Sequence, residues 1–500
     1  MDSWRDYYKA LYFPEMNFSP HDYGCSGKLA GAMYAISEIK DAIPVIHGSA
    51  GCGFHYKYIC RRGYLPAYNA KCTNLEEKDI VFGGEDKLKA AIRSTAERYS
   101  PSMIAVIPAA PVDMIHAEME AVVADLKNKV NCKLIIARSE KFSHVDKRNR
   151  SKIYAQRAES WNNQKPENKF EFNKGCGFAE AMTAIVEQVM VRQQVRKNTV
   201  NICGLAWGSG GNAVAGGLAR DLKLLGIGLN TYLPNCRTNE LVEAPGAELN
   251  IVTRRIPWAK RMEDIFGTKY LHIDSFDSYR GPEGIEKLFL EIAGFMENKN
   301  GIERALKSLK EKTLQDIKPV KEYFKKFSFA LYTSSYGNIP YIIDEYAASL
   351  DIPLKFICVE MDGKDWEADC ISEETREKII GNIRNSMERA VPSAQLFINA
   401  PDETLKEIFT QVDYVFGDGD PIDMILPDNY IQTINRLIPL DFQSYKKMAE
   451  NMAGKIKKAG RRGRLLTERF NANLKSHSSA DYSNMDSSRK MWEEMWLRRG

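Results

Sequence analysis

Two cysteine-containing segments near the start of the chain have residue types and spacing that favour metal chemistry. The first is Tyr23–Gly27, with Cys25 at its centre, and the second is His47–Gly53, which contains Cys52 and three glycines. A thiolate that binds an iron–sulfur cluster needs room for a bulky inorganic core and backbone N–H groups turned toward its sulfides. Neighbouring glycines supply both. Cys25 and Cys52 are therefore predicted to bind such a cluster, although an isolated cysteine is commonly a small buried apolar residue.

The composition excludes several classes of partner. The 500 residues carry 70 Lys and Arg against 66 Asp and Glu, a net charge of +4, so no nucleic-acid-binding surface is expected. The first residues lack a signal peptide's apolar region, and no run of about 18 apolar residues occurs, which predicts a cytoplasmic protein with no membrane partner. Ten cysteines in a reducing compartment leave catalysis, metal binding or burial as their roles.

Apolar, β-rich runs alternate with amphipathic stretches along most of the chain, a pattern typical of parallel sheets covered by helices. We predict an α/β fold of three doubly wound parallel-sheet domains in series, which agrees with a prior of roughly 150 residues per domain. The predicted boundaries are 1–195 for the domain with the cysteine loops, 196–325, 326–465, and a helical or disordered tail at 466–500.

Individual elements follow from the same pattern. A polar excursion is expected within 146–174, where the periodicity is lost. Buried strands are predicted at Met103–Ile107, Lys133–Ala137, Thr199–Cys203, Phe327–Tyr332, Lys355–Val359, Ala394–Ile398 and Tyr414–Phe416, and helices at Asp113–Lys129 and Ala305–Lys326.

The glycine-rich stretch Gly204–Gly211 follows one of these strands and precedes a helical pattern. Such a turn can cradle a phosphate at a helix N-terminus, but its spacing matches neither the dinucleotide nor the P-loop fingerprint. Tight packing at a domain entrance is the preferred interpretation. The sequence also lacks G-x-x-x-x-G-K-[ST], so any use of ATP is expected to reside on a partner.

The order of three motifs resembles the catalytic-component subunits of the nitrogenase superfamily. These are Cys25 on an early loop, the H-G-x-x-G-C turn that ends at Cys52, and the E-x-D-x-x-F-G-G stretch Glu77–Gly84. Similarity continues through Asn239–Asn250 and covers most of residues 20–460. The resemblance implies a nitrogenase-like oxidoreductase subunit that pairs with a homologous or identical subunit, as a dimer or heterotetramer. It also implies a 4Fe-4S or larger iron–sulfur cluster shared across the subunit interface, and electrons from an ATP-dependent iron protein.

The chain departs from the family pattern at the expected cluster site. The family usually supplies a third cysteine where Ala110 stands here. Two thiolates then require either two more from a twin subunit or an uneven share from a partner. Asp113 is either an oxygen ligand or, preferably, the N-cap of the next helix. Cys60 and Cys72 are reserve ligands should Cys25 not bind.

A second departure concerns the large active-site cofactor of nitrogenase. By resemblance, its cysteine ligand corresponds to Arg254, and its histidine ligand belongs to the last domain, where residues 327–464 contain no histidine. Cys236, the nearby thiol, is interpreted as a loop or core cysteine. Arg254 is a candidate substrate clamp for an anionic group, or forms structural ion pairs together with Arg255.

The leading hypothesis is therefore a subunit of a nitrogenase-like component 1 reductase. Family members reduce dinitrogen, tetrapyrrole double bonds or carbon–sulfur bonds, and the missing ligands argue against dinitrogen reduction on this chain alone. The alternatives are a scaffold subunit for assembly of a nitrogenase-type metallocluster and a structural paralogue without metal.

Overall fold

The computed structural model describes most of the chain between residues 28 and 457. The described residues are 28–54, 70–109, 112, 119–138, 177–204, 208–253, 257–273, 279–333, 339–359, 361, 373–417, 430–432 and 439–457. Three parallel β-sheets with covering helices form the architecture, which confirms the predicted α/β class.

The first sheet has the strand order β2-β1-β3-β4, and all of its pairs are parallel. Its strands are β1 (Ala42–His47), β2 (Lys71–Cys72), β3 (Met103–Pro108) and β4 (Lys133–Ile136), and its helices are α1 (Lys28–Ser37), α2 (Glu77–Phe82), α3 (Glu85–Tyr99), α4 (Met119–Leu126) and α5 (Gly177–Gln188).

Both faces of this sheet are buried because helices pack on each of them. Successive side chains of a strand point to opposite faces. In β3, Met103 and Ile107 pack with α1 and α5 on one face. Ile104 and Val106 pack with α3 and α4 on the other face. This double burial explains why β3 reads as a continuous apolar run in the sequence.

The second sheet has the order β6-β5-β7-β8, again with parallel pairs throughout. Its strands are β5 (Arg196–Cys203), β6 (Gly228–Leu233), β7 (Ala247–Val252) and β8 (Lys269–His272), and its helices are α6 (Gly208–Leu224), α7 (Thr238–Glu243), α8 (Pro257–Phe266), α9 (Gly281–Ala293) and α10 (Lys299–Phe324).

The third sheet has the order β11-β10-β9-β12-β13 and is also parallel. Its strands are β9 (Phe329–Thr333), β10 (Leu354–Val359), β11 (Gln395–Ile398), β12 (Tyr414–Gly417) and β13 (Tyr430–Gln432), and its helices are α11 (Ile339–Ile343), which continues as a π-helix over Asp344–Ser349, α12 (Glu373–Ala390) and α13 (Asp402–Thr410).

Shared apolar clusters join neighbouring sheets. Ile107 of the first sheet belongs to the same cluster as Leu233 of the second sheet and Trp258 of α8. Phe289 of α9 stacks on Phe442, at the start of helical residues 442–457, with ring centroids 6.3 Å apart. Burial of this kind contributes roughly 25 cal/mol per Å² of apolar surface, so these contacts stabilise the arrangement of the three sheets.

The structure confirms the predicted strands, with ends that shift by a few residues. The helix predicted at Ala305–Lys326 spans Lys299–Phe324, and the helix predicted at Asp113–Lys129 is described over Met119–Leu126. The excursion at 146–174 and the tail at 466–500 lie outside the described residues, and the domain boundaries stay predictions. No helix of the described part is long and apolar enough to cross a membrane.

Candidate functional site

The H-G-x-x-G-C loop lies at the point in the first sheet where the strand order reverses. From β1 the chain proceeds to β2 on one side, whereas β3 leads to β4 on the other. The N–H of Ala109, just after β3, donates to the carbonyl of His47 at 2.8 Å. A Cβ on Gly48 would lie 2.5 Å from the Cβ of Ala109, so only glycine allows this approach. Open α/β sheets bind ligands at this topological position.

Cys52 follows this loop on a helical turn. The N–H of Cys52 donates to the carbonyl of Ser49 at 3.1 Å, closing the turn that leads into helical residues 50–54. Its thiol is half-buried, with Sγ 3.5 Å from the Ser49 hydroxyl oxygen. A partly accessible thiol at a sheet edge is suited to binding a metal cluster from one side.

Cys72 reaches the same loop from the neighbouring strand. It ends β2 and pairs in register with Ile46 of β1. Its half-buried thiol donates to the carbonyl oxygens of Ser49, at 3.2 Å, and Gly48, at 3.5 Å. A Cβ on Gly53 would lie 2.9 Å from the Cβ of Cys72. Cys52 and Cys72 therefore both contact the segment Gly48–Gly53.

His47 anchors the loop from below. Its side chain is 2% exposed, and its Nδ1 lies 3.1 Å from the Thr73 hydroxyl oxygen. Thr73 also accepts from the N–H of Gly48 at 3.0 Å and donates to the carbonyl of Gly48 at 3.2 Å. Burial lowers the pKa of His47 to about 4, against an opposing effect of Glu85. His47 is therefore neutral at pH 7. Its hydrogen-bond partner, Thr73, follows β2 and lies outside the H-G-x-x-G-C turn.

The E-x-D-x-x-F-G-G stretch forms α2 and the turn after it. The Asp79 carboxylate accepts from the N–H of Glu76 at 2.7 Å and pairs with Lys87 of α3 at 2.6 Å. The Lys87 ammonium lowers the pKa of Asp79. The hydrogen bond from the N–H of Glu76 to Asp79 stabilises the start of α2.

Three apolar side chains beside the cysteine loop are exposed to solvent. Phe82 is 87% exposed, Val81 is 73% exposed, and Phe54, two residues after Cys52, is 70% exposed. We call Phe54, Val81 and Phe82 the apolar rim. Val81 and Phe82 are adjacent at the end of α2, and contiguous exposed apolar side chains are typical of a surface that contacts another protein.

Several predicted residues fall outside the described part of the chain. These are Cys25, Cys60, Ala110, Asp113, Arg254 and Arg255. Within the described ranges, no group of three or more His, Cys, Asp or Glu side chains is placed to hold a metal ion. Of the cysteines discussed as cluster ligands, the described ranges thus contain Cys52 and Cys72.

The corresponding edge of the second sheet is built from buried polar groups. The hydroxyl and the N–H of Thr253, the last described residue before Arg254, both donate to the carbonyl of Cys203 at 3.1 Å. Cys236 is buried, and burial raises the pKa of its thiol to about 12, which confirms its interpretation as a core cysteine.

The motif Asn239–Asn250 serves the structure of this second sheet. It spans α7, a short 3₁₀ turn and β7. The amide of Asn201 donates to the side chain of Asn250 at 2.8 Å and to the carbonyl of Ala244 at 2.9 Å, all within the buried interior. Buried amides need such partners because an unsatisfied polar group costs stability.

Comparison with known families identifies the class of protein. A model of the nitrogenase component 1 type oxidoreductases matches residues 27–169 and 166–396, more than half of the chain. The chain belongs to this family.

Individual relatives include both catalytic and biosynthetic proteins. The chain is 24% identical over 368 residues to the nitrogenase molybdenum-iron protein alpha chain of Methanosarcina barkeri, covering 69% of this chain and 62% of that protein. It is 26% identical over 291 residues to the nitrogenase iron-molybdenum cofactor biosynthesis protein NifE of Clostridium pasteurianum, covering 55% of this chain and 54% of that protein. The chain thus spans less than two thirds of the length of these relatives.

A solved structure, nitrogenase Cp1 at pH 6.5, shares the fold. It superposes with a TM-score of 0.50 at 17% identity and covers 87% of this chain and 89% of its own. The architecture of three parallel sheets is therefore that of the nitrogenase component 1 proteins.

Proposed function

We propose that this chain is a subunit of a nitrogenase-like component 1 reductase that binds an iron–sulfur cluster through Cys25 and Cys52 at a subunit interface. The observation that carries the proposal is the position of Cys52. Its half-buried thiol lies in a glycine-containing loop at the point where the strand order of the first sheet reverses. A cluster bound there supplies single-electron storage at a potential tuned by its surroundings.

The protein residues prepare this position for a cluster. Gly48 lets the loop pass close to Ala109. The Thr73 hydroxyl holds the loop in place, because it accepts from the N–H of Gly48 and donates to the carbonyl of Gly48. The neutral His47 beneath it adds no charge. A loop fixed in this way keeps the Cys52 thiol in place when it loses its proton to bind iron.

Three features support the proposed partners: the family relatives, the missing P-loop and the exposed apolar rim. The family includes nitrogenase alpha and beta chains, which supports a homologous or identical second subunit. Because the sequence has no P-loop, ATP-driven electron delivery belongs to a separate iron protein. The apolar rim lies beside the cysteine loop and is the surface we assign to contact with a partner during electron transfer.

The test is reconstitution under anaerobic conditions. The purified complex should oxidise a reduced iron protein only when ATP is present, and the chain alone should not hydrolyse ATP. ATP turnover by the isolated chain, or no oxidation of any iron protein by an iron-loaded complex, contradicts the proposal.

Arg254 has a separate place in the proposal, as a clamp for an anionic group of the substrate. The guanidinium fork suits a carboxylate and has no lone pair for iron. Arg254→Ala should raise KM while the iron content stays unchanged. A fall in thermal stability without a change in KM identifies Arg254 as a structural residue instead.

The second candidate is a scaffold for metallocluster assembly, and the similarity to NifE favours it. A scaffold releases its cluster to an acceptor, whereas a reductase retains its cluster through many turnovers. Incubation of the iron-loaded protein with an apo-acceptor, followed by separation and iron analysis of both proteins, distinguishes the two roles.

A further inference from the structure

We propose that Asp221 and Asp441 form a proton-dependent clasp between α6 and the helix over residues 442–457. The two buried carboxyls carry one proton between them while helix 442–457 is docked on α6, and loss of that proton loosens the helix. This inference concerns the joint between the second and third sheets and does not depend on the iron–sulfur cluster.

Helix 442–457 connects the second and third sheets. Its side chains Tyr445 and Met452 belong to one buried apolar cluster with Leu218 of α6 and Phe329 of β9. Because this cluster includes residues that pack on both sheets, the docking of helix 442–457 helps to hold the two sheets together.

Both carboxylates lie at the start of this helix. Asp441 directly precedes the helix, and its Oδ1 accepts from the N–H of Ser444 at 2.9 Å, as an N-cap residue does. Asp221 belongs to α6, and its Oδ2 accepts from the N–H of Phe442 at 2.8 Å. α6 therefore supplies a second carboxylate to the N-terminus of the helix that packs on it.

The surroundings of the two carboxyls penalise a second negative charge. Asp221 is 1% exposed and Asp441 is 0% exposed. Within the described residues, Oδ2 of Asp441 has no hydrogen-bond partner, and an added Cβ on Gly217 would lie 1.9 Å from it. A buried carboxylate oxygen that has lost its water without gaining a donor favours the protonated form of the group.

Arg220 is the cation that faces the pair. Its Nη2 lies 3.9 Å from Oδ1 of Asp441, and its Nε donates to Oε1 of Gln443 at 3.1 Å. The Arg220 side chain is 54% exposed, so solvent screens much of its charge. It also faces Tyr232 of β6, where it opposes the rise that burial causes in the pKa of that phenol.

α9 and α10 contact the same helix without adding net charge to the site. Phe289 of α9 stacks on Phe442, and Lys446 pairs with Asp316 of α10 at 2.7 Å. In the part of the chain that the structure describes, the charges that act on the two carboxyls are therefore those of Arg220 and of the carboxyls themselves.

These conditions raise the pKa of both groups. Burial raises the pKa of Asp221 from 3.8 to about 6, and the charge of Asp441 acts in the same direction. Burial also raises the pKa of Asp441. Because these folded-state pKa values exceed the unfolded value, the stabilisation is complete below pH 3.8 and is lost as the pH rises through 6. The helix should therefore be held more firmly at pH 5 than at pH 8.

The test is hydrogen–deuterium exchange of the full-length protein at pH 5 and pH 8, with rates corrected for intrinsic exchange and limited by the opening equilibrium. A pKa that falls from about 6 to 3.8 on undocking makes residues 442–457 about tenfold less protected at pH 8. Asp221→Asn keeps an oxygen for the N–H of Phe442 but carries no charge. It should remove the difference by restoring protection at pH 8.

Asp316→Asn is the matched control, because it removes a carboxylate that contacts the same helix through Lys446. Lys446 lowers the pKa of Asp316, so this group stays ionised between pH 5 and pH 8, and the variant should keep the tenfold difference. Equal protection of residues 442–457 at the two pH values in the wild type overturns the inference. A tenfold difference that persists in both Asp221→Asn and Asp441→Asn also overturns it. Should one of these variants not fold, the other decides by the same comparison.

Discussion

The imidazole of His47 packs against Gly84, where an added Cβ would lie 3.1 Å from Cε1 of the histidine ring. This contact joins the first residue of the H-G-x-x-G-C loop to the last residue of the E-x-D-x-x-F-G-G stretch. Leu75 lies between the two segments, since its N–H donates to the carbonyl of Gly48 at 2.8 Å and its side chain also meets Gly84. The two motifs form one structural unit, which explains how a sequence signature of separated segments describes a single site.

Gly53→Ala should disturb this unit selectively. The added methyl would meet the Cβ of Cys72 at 2.9 Å, closer than real Cβ atoms approach. Overpacking of this kind costs about 1–3 kcal/mol, and displacement of the loop should lower the bound iron. Gly51→Ala is the control, because its nearest neighbour is the Ser49 hydroxyl at 3.8 Å. Equal iron content and equal melting temperatures in the two variants would show that the close approach has no role.

Phe82→Ser tests the apolar rim. Phe82 is 87% exposed, so its removal should leave the melting temperature and iron content unchanged. Loss of a central apolar contact in an interface costs on the order of 1–3 kcal/mol, which corresponds to a Kd for the iron protein that is weaker by roughly 5-fold to 160-fold. Leu224→Ser, at an exposed position on α6, is the control and should not change the Kd. An unchanged Kd in Phe82→Ser would remove the rim from the docking surface.

Glu38→Gln tests a buried carboxyl at the end of α1. Burial raises the pKa of Glu38 from 4.5 to about 7, although a hydrogen bond with Tyr34 opposes the shift. A folded-state pKa above the unfolded value means that the folded protein binds more protons between these pH values. Stability is therefore greatest below about pH 4.5 with respect to this group and is lost as pH rises through 7.

The variant should be more stable than the wild type at pH 8 and similar to it at pH 5. The shift corresponds to an upper value of about 3 kcal/mol in unfolding free energy at high pH. Urea denaturation of the metal-free protein at the two pH values measures the difference. A variant that is less stable at pH 8 would show that the charged carboxylate is stabilised in the folded state.

The sequence predicted the sheets well where strands are long and buried on both faces. Met103–Pro108 reads as a strand because every position is apolar, and Leu354–Val359 because every position except the exposed Lys355 is apolar. β1 is less evident, since Pro44 stands within Ala42–His47 and proline usually marks the edge of a strand or its end. β2 cannot be predicted from periodicity, because two residues define no pattern.

The same limits apply to the site. Cys52 was predicted from its glycine neighbours, which are a local feature of the chain. From the sequence, Cys72 is only a reserve ligand. Its contact with the loop depends on the pairing of β2 with β1, which joins residues 26 positions apart, as in Ile46 and Cys72. Thr73 gave no signal at all, because its hydrogen bonds to His47 and Gly48 are tertiary contacts.

The most direct test of the central claim is the double variant Cys25→Ala/Cys52→Ala, prepared beside the wild type under anaerobic conditions. The wild-type complex should contain iron and sulfide and show the broad visible absorbance of sulfur-to-iron charge transfer. The double variant should fold, as judged by its far-ultraviolet circular dichroism, and should lose both the absorbance and the iron. Full iron content and an unchanged visible spectrum in the folded double variant would contradict the assignment of these two thiolates as the ligands of the cluster.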